Sequence, residues 1–164
     1  MTVMSRLGTL LLTTVVLGMT NAAPAGAQAT QAENEAAIRR TMAAYNAALN
    51  GGKTEAVLPL YTPDGIFMAP FSQSNIGIDA VKTAYDQVFQ ELAFNVKFDI
   101  QELVVMSSVY AYVRTNSAGT TRHASTGKTT SEANQELFIL RKGEDGMWRI
   151  ARYSFSPTNA PANG

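Results

Sequence analysis

Hydrophobic and polar positions divide the chain into a helical first half and a strand-like second half. Ile38, Met42, Tyr45 and Leu49 recur at helical spacing and make one stripe, with alanines at 43, 44, 47 and 48 beside it. Asn50-Gly51-Gly52 predicts the end of that helix, because glycine is favoured just past a C-terminus. Thr54 can start a second, short helix running through Leu58 to Tyr61. Pro63-Asp64-Gly65 reads as a turn fixed by Asp64, followed by a short strand at 66–69 and a loop at 70–76. A third helix after Gly77 buries Val81, Tyr85, Val88 and Phe89.

From Phe94 the period changes to two. Phe94, Val96, Phe98 and Ile100 alternate with Asn95, Lys97, Asp99 and Gln101, which predicts a strand with one wet face. The phase breaks at Glu102-Leu103, as a β-bulge would produce. Val109, Ala111 and Val113 then alternate with Tyr110, Tyr112 and Arg114. Residues 116–131 are polar and contain Gly119 and Gly127, consistent with either a long hairpin arm or a flexible loop. A strand from Glu136 to Arg141, a turn at 142–146 and a last strand at 147–156 complete the pattern. In the last strand, alternation places Ala151, Tyr153 and Phe155 on one face and Trp148 and Ile150 on the other. Three helices before a run of strands predict an α+β fold, with the helices packed on a curved, mostly antiparallel sheet.

Composition adds a compartment and several exclusions. Residues 1–29 read as a cleaved secretory signal: Arg6 precedes the apolar run Leu7 to Met19, which is shorter than the ~20 residues needed to span a bilayer. Ala27-Gln28-Ala29 fits a cleavage site, with Ala25-Gly26-Ala27 as the alternative; an uncleaved anchor is the rival reading. The signal predicts a periplasmic or secreted protein with no stable membrane insertion. It leaves a domain at 30–156 and a Pro/Asn/Ala-rich tail at 157–164 that reads as flexible. Thirteen basic and thirteen acidic residues balance, and no basic stripe is present, which argues against nucleic acid as a partner. The absence of cysteine removes disulfides, thiol nucleophiles and Cys-based zinc sites. A single histidine, His123, removes any His-rich metal site. No phosphate loop, nucleophile elbow or dinucleotide fingerprint occurs.

Three stretches carry a family resemblance. The first is Ala44-Tyr45-Asn46-Ala47-Ala48-Leu49-Asn50-Gly51-Gly52, continuing into Leu60-Tyr61-Thr62-Pro63-Asp64-Gly65-Ile66-Phe67. The second is Gly77-Ile78-Asp79-Ala80-Val81, and the third runs from Glu136-Leu137-Phe138-Ile139-Leu140 to Asp145-Gly146-Met147-Trp148-Arg149-Ile150. In order and spacing they resemble the nuclear transport factor 2-like superfamily, which includes ketosteroid isomerases, scytalone dehydratase and SnoaL-like cyclases. The closing stretch is most similar to the exported SgcJ/EcaC-type proteins. The resemblance implies a cone-shaped α+β barrel around a hydrophobic pocket, often as a homodimer, and no obligatory cofactor; no metal-ligand spacing occurs in the sequence.

It also implies positions for chemistry. The family's helix-1 phenol falls on Tyr45, which the helical stripe independently points inward as either a core tyrosine or a pocket donor. The isomerase base falls on Ala69, just before Pro70, and alanine accepts no proton, so ketosteroid isomerisation by that route is not expected. The protonated-acid position falls near Glu136, which shares a strand face with Phe138 and Leu140; a solvated strand-end carboxylate is the alternative. Phe155 matches a pocket-lining aromatic, whereas Trp148 reads as core. His123 titrates near neutrality when unperturbed and is a possible acid/base, although its polar neighbourhood suits a solvated side chain.

The expected function is therefore binding of a small apolar or aromatic molecule in a pocket lined by Tyr45, Phe67, Ala69, Phe71, Glu136, Tyr153 and Phe155. One rival is a cofactor-free isomerase, lyase or cyclase using Tyr45 as donor and Glu136 or His123 as acid/base. The other is a non-catalytic assembly module whose interface is the sheet face of Tyr110, Tyr112 and Arg114.

Overall fold

A computed structural model describes residues 25–159; the signal core at 7–19 and the tail residues 160–164 lie outside the described residues. The helices are α1 (Ala25–Gly51), α2 (Thr54–Val57), which runs into a 3-10 turn (Leu58–Leu60), and α3 (Ile78–Glu91). The strands are β1 (Tyr61–Met68), β2 (Asn75–Ile76), β3 (Leu92–Val105), β4 (Tyr110–His123), β5 (Thr129–Lys142) and β6 (Trp148–Pro157). They form one open sheet in the order β2-β1-β6-β5-β4-β3. Every neighbouring pair is antiparallel except β1 with β6. The three helices pack on this curved, open sheet as the pattern predicts, in the cone arrangement that the family resemblance implies.

The helical stripe is buried as its spacing requires: Ile38, Met42, Tyr45 and Leu49 enter the core with Val81 and Tyr85 of α3 and Val113, Phe138, Leu140 and Ile150 of the sheet. Gly52 ends α1 in the left-handed conformation (φ 62°), with its N–H bonded to the carbonyl of Leu49. Two asparagines one helical turn apart on α1 do a further task. Asn46 and Asn50 both donate Nδ2 to the carbonyl of Val96, and their Oδ1 atoms accept from the amides of Phe98 and Val96. These are edge-strand groups that have no further strand to pair with. The helix thus satisfies and covers the open edge of β3.

Two bulges and one close approach shape the sheet locally. Gln101 is the extra residue of a bulge in β3, between the Ile100–Thr115 and Glu102–Arg114 pairs, where the broken phase places it. Ala151 is a second extra residue, in β6, between the pairs Ile139–Arg152 and Leu140–Ile150. This corrects the expected facing of the last strand: the bulge resets the alternation, so Trp148, Ile150, Ala151 and Tyr153 are all buried. Third, β3 and β4 approach so closely at Gly119 that a Cβ there would stand 2.1 Å from the carbonyl oxygen of Asn95.

Two segments differ from their sequence patterns. Pro63-Asp64-Gly65 is not a free turn but lies inside β1, between the Tyr61–Ile150 and Ile66–Arg152 pairings. Asp64 is held there by a two-point ion pair with Arg141, whose guanidinium keeps its carboxyl below the usual range. The polar stretch 116–131 is the hairpin arm of the two options: β4 and β5 run through it in register, leaving only residues 124–128 as the turn. At the C-terminal end β6 continues through Pro157, and the amide of Thr158 bonds the carbonyl of Ala133.

Candidate functional site

The core does not fill the space between α1, α3 and the concave face of the sheet. A cavity of about 350 Å³ remains, a size that accommodates a small organic molecule. One wall is a run of aromatic rings. Phe67 of β1 stacks near-parallel with Tyr153 (5.6 Å between centroids) and Phe155 (6.2 Å) of β6, and Tyr153 stacks on Phe138 at 4.1 Å. Tyr45 meets Tyr153 and Phe98 edge-on at 5.5 and 5.7 Å. Leu49, Val88, Leu92, Phe94 and Val96 complete the apolar lining.

The polar part of the lining lies beside these rings on the same concave face, where register pairs Glu136 with Phe155, and it comes from strand alternation. Glu132, Asn134 and Glu136 are alternate residues of β5 and share the face of Phe138. Register places Thr115 opposite Glu136 and Ser117 opposite Asn134. Glu136 is only 3% exposed, and both its carboxyl oxygens accept hydroxyl hydrogen bonds, from Thr115 Oγ1 at 2.5 Å and from Ser117 Oγ. Burial raises its pKa above the ordinary 4.5, the two hydroxyl donors partly offset this, and the nearby Glu132 adds to the rise. Glu136 is therefore a buried acid with two fixed donors, not a solvated strand-end carboxylate.

A raised pKa has a consequence for stability. The fold favours the protonated form, so this stabilisation is complete below the unfolded value of 4.5 and is lost as pH rises through the higher folded pKa. Glu136→Gln is neutral at every pH and escapes this loss. Chemical unfolding at pH 4 and pH 7 should show the variant gaining stability relative to wild type at the higher pH; a constant difference would contradict the burial argument.

A chain of phenols adjoins the aromatic wall, and two of its members, Tyr45 and Tyr85, line the cavity. Tyr85 OH stands 2.7 Å from Tyr45 OH and 3.0 Å from Tyr61 OH, all three buried. Desolvation by burial holds these phenols, and that of Tyr153, well above the ordinary tyrosine range, so they remain protonated donors.

The expected pocket residues Tyr45, Phe67, Ala69, Phe71, Glu136, Tyr153 and Phe155 all border this cavity. Ala69 lies there beside Pro70 and brings no acid. Phe71 borders the cavity only at its mouth, where its side chain is wholly exposed, on a backbone with φ 59° that non-glycine residues seldom adopt. His123 does not join the group. The register of β4 carries it to the hairpin end opposite Leu92, where its Nε2 lies 3.0 Å from Thr130 Oγ1 and its Nδ1 3.8 Å from Glu91. It lines a separate shallow depression with Glu91, Arg122 and Ala124. Tyr61, Tyr85, Thr115, Ser117, Glu132 and Asn134 are the polar residues that sequence reasoning did not assign to the site. For Tyr85 the signal was available, since it lies on the buried stripe of α3.

Among the described residues no group of three or more His, Asp or Glu side chains is placed to hold a metal ion. No described helix is long and apolar enough to cross a membrane.

The SnoaL-like domain model matches residues 30–154. The chain belongs to the SnoaL-like family, within the nuclear transport factor 2-like superfamily. No curated protein matches it at a significant level. Among solved structures it is similar to a ketosteroid isomerase-like protein from Erwinia carotovora atroseptica, at 37% identity and TM-score 0.74, covering 76% of this chain and 96% of that one. A conserved protein from Planctomyces limnophilus is 24% identical, with TM-score 0.68 and coverage of 76% and 98%. A candidate scytalone dehydratase from Novosphingobium aromaticivorans shares the fold at 19% identity and TM-score 0.70, covering 80% of this chain and 89% of that one. The last two likenesses are of fold alone.

Proposed function

We propose that this SnoaL-like protein binds a small apolar or aromatic molecule in its cavity, with Tyr45 and Glu136 as polar contacts. The observation that carries this reading is the lining itself: stacked rings on β1 and β6, and beside them on β5 one buried, doubly hydrogen-bonded acid. A flat ligand would gain apolar burial against Phe67 and Phe155, and the few polar groups would fix its orientation. Export and homodimerisation belong to the same proposal. The dimer is supported by the outer sheet face, where Tyr110 and Leu137 are substantially exposed near Tyr112 and Arg114. The SgcJ/EcaC-type resemblance of the closing strands is a further part of it.

A native mass spectrum of the protein purified from its own cells tests binding, export and dimerisation. The expected result is a dimer with one retained small molecule per chain, whose subunit mass starts after Ala27 or Ala29. A full-length, empty monomer that also fails to take up naphthalene would overturn the reading.

One observation favours a second function. An acid whose pKa is raised by burial, set in an aromatic cavity, is what a cofactor-free isomerase, lyase or cyclase uses for proton transfer. The 37% identical relative also carries an isomerase-like name. With alanine at position 69, Glu136 would have to serve. Incubation with a β,γ-unsaturated ketosteroid separates the readings: binding without turnover supports the first, and turnover abolished by Glu136→Gln supports the second.

A further inference from the structure

We propose that Phe71 gates the cavity: its ring, which stands outside the mouth, folds over a bound apolar molecule and slows its release. This rests on the binding reading above. Two independent observations meet at this residue. Its side chain is the most exposed of the large apolar side chains among the described residues, yet it borders the cavity together with Ala69 and Pro70. Its backbone has φ 59°, and among the described residues it is the one non-glycine residue with positive φ. Glycine adopts that region freely, and asparagine or aspartate can hydrogen-bond locally there, whereas a phenyl ring offers no such compensation.

Both features cost free energy in this conformation, one through exposed apolar surface and one through the backbone. A turn of Phe71 to negative φ that brings its ring over the cavity removes both. The surroundings confine such a turn to the loop. On either side of it β1 and β2 pair, Ile66 with Ile76 and Phe67 with Asn75, and Asn75 Nδ2 bonds the carbonyl of Phe67. Within it Pro70 has a locked φ, so the hinge falls on Phe71 itself. The outward form is latched across the turn by Ser72 Oγ, which bonds the carbonyl of Ala69 at 3.0 Å. That bond is exposed, and water replaces such a bond at little cost.

The cavity supplies what the ring lacks. Phe67 and Phe155 stack at its border, and Phe155 is itself only partly buried. A flat molecule lying against them leaves apolar surface in water at the mouth. Phe71 folded over that surface buries the ring and the molecule together.

Naphthalene binding to the protein, followed by NMR with ring-labelled phenylalanine and by stopped-flow release, tests this. Bound naphthalene should give nuclear Overhauser contacts to the Phe71 ring in the wild type. Phe71→Ala should release naphthalene at least ~10-fold faster, the scale of burying one phenyl ring, with association within ~3-fold. Its urea midpoint should be no lower than wild type, because a wholly exposed ring packs on nothing. The Overhauser contacts decide the matter even if the variant does not fold. Naphthalene binding without contacts to Phe71, or with unchanged release from the variant, would overturn the gate and leave the cavity reading standing. Release and association accelerated equally would also overturn it, since they mark a fixed obstruction. No naphthalene binding would remove the cavity reading and the gate with it.

Discussion

Tyr85→Phe is expected to destabilise the fold by about 2–4 kcal/mol, because one oxygen atom serves two buried neighbours and each orphaned group costs about 1–3 kcal/mol. Tyr85 OH bonds both Tyr45 OH and Tyr61 OH, and all three residues are no more than 3% exposed. The rings still pack after the substitution: Phe67 lies 5.1 Å from Tyr85, stacked, and Phe89 lies at 5.6 Å. The loss is therefore polar and not one of packing. Tyr45→Phe provides the contrast, because it removes one end of the chain and leaves the Tyr85–Tyr61 bond in place. Its cost should be nearer ~1 kcal/mol. Urea unfolding of the two variants reads the difference directly, and equal losses would mean that Tyr85 is not the hub.

Gly119→Val is expected to cost about 3 kcal/mol, against the direction that strand propensity alone gives. Valine is a better strand former than glycine by up to ~1 kcal/mol, so an ordinary strand glycine would be improved by the change. Here a Cβ would stand 2.1 Å from Asn95 O and 2.8 Å from Val96 Cα, both backbone atoms. Overpacking of this kind typically costs about 1–3 kcal/mol and more where the neighbour cannot yield. The neighbour is held: Val96 is clamped from its far side by Asn46 and Asn50 of α1. Hydrogen exchange should report the damage locally, with protection lost along β3 and retained between β5 and β6. Gly119→Ala should carry most of the cost, since it already has the Cβ. A stabilised valine variant would show that propensity wins and that the β3–β4 approach is looser than described.

How much of this could be read along the chain depends on whether a residue's role is local. Tyr45 was legible because a helical stripe needs only its own neighbours, and Glu136 because it alternates with Phe138 and Leu140. Ser117 and Thr115 were not, because polar residues at period two look the same on a solvated hairpin arm as on the inner face of a pocket. Only the β4–β5 register sets them against Glu136. The bulge at Ala151 is similarly long-range in origin: the pairing with β5 resets the face of Trp148 and Ile150, and no glycine marks the spot. Asn50 reads as a helix-end residue and Asn46 as one more helical position, whereas both side chains serve a strand some fifty residues away. His123 shows the converse. Its chemistry drew notice, but the hairpin places it among exposed hydroxyls and Glu91.

The central claim is that the space between α1, α3 and the sheet is a binding site. The most direct test is a naphthalene titration of the isotope-labelled protein followed by amide NMR. The account predicts saturable shifts concentrated on β1, α3, β5 and β6 around Phe67, Val88, Glu136 and Tyr153, with His123 and the Arg149 turn unmoved. Shifts confined to the outer sheet face around Tyr110 and Leu137, or none at saturating probe, would contradict it.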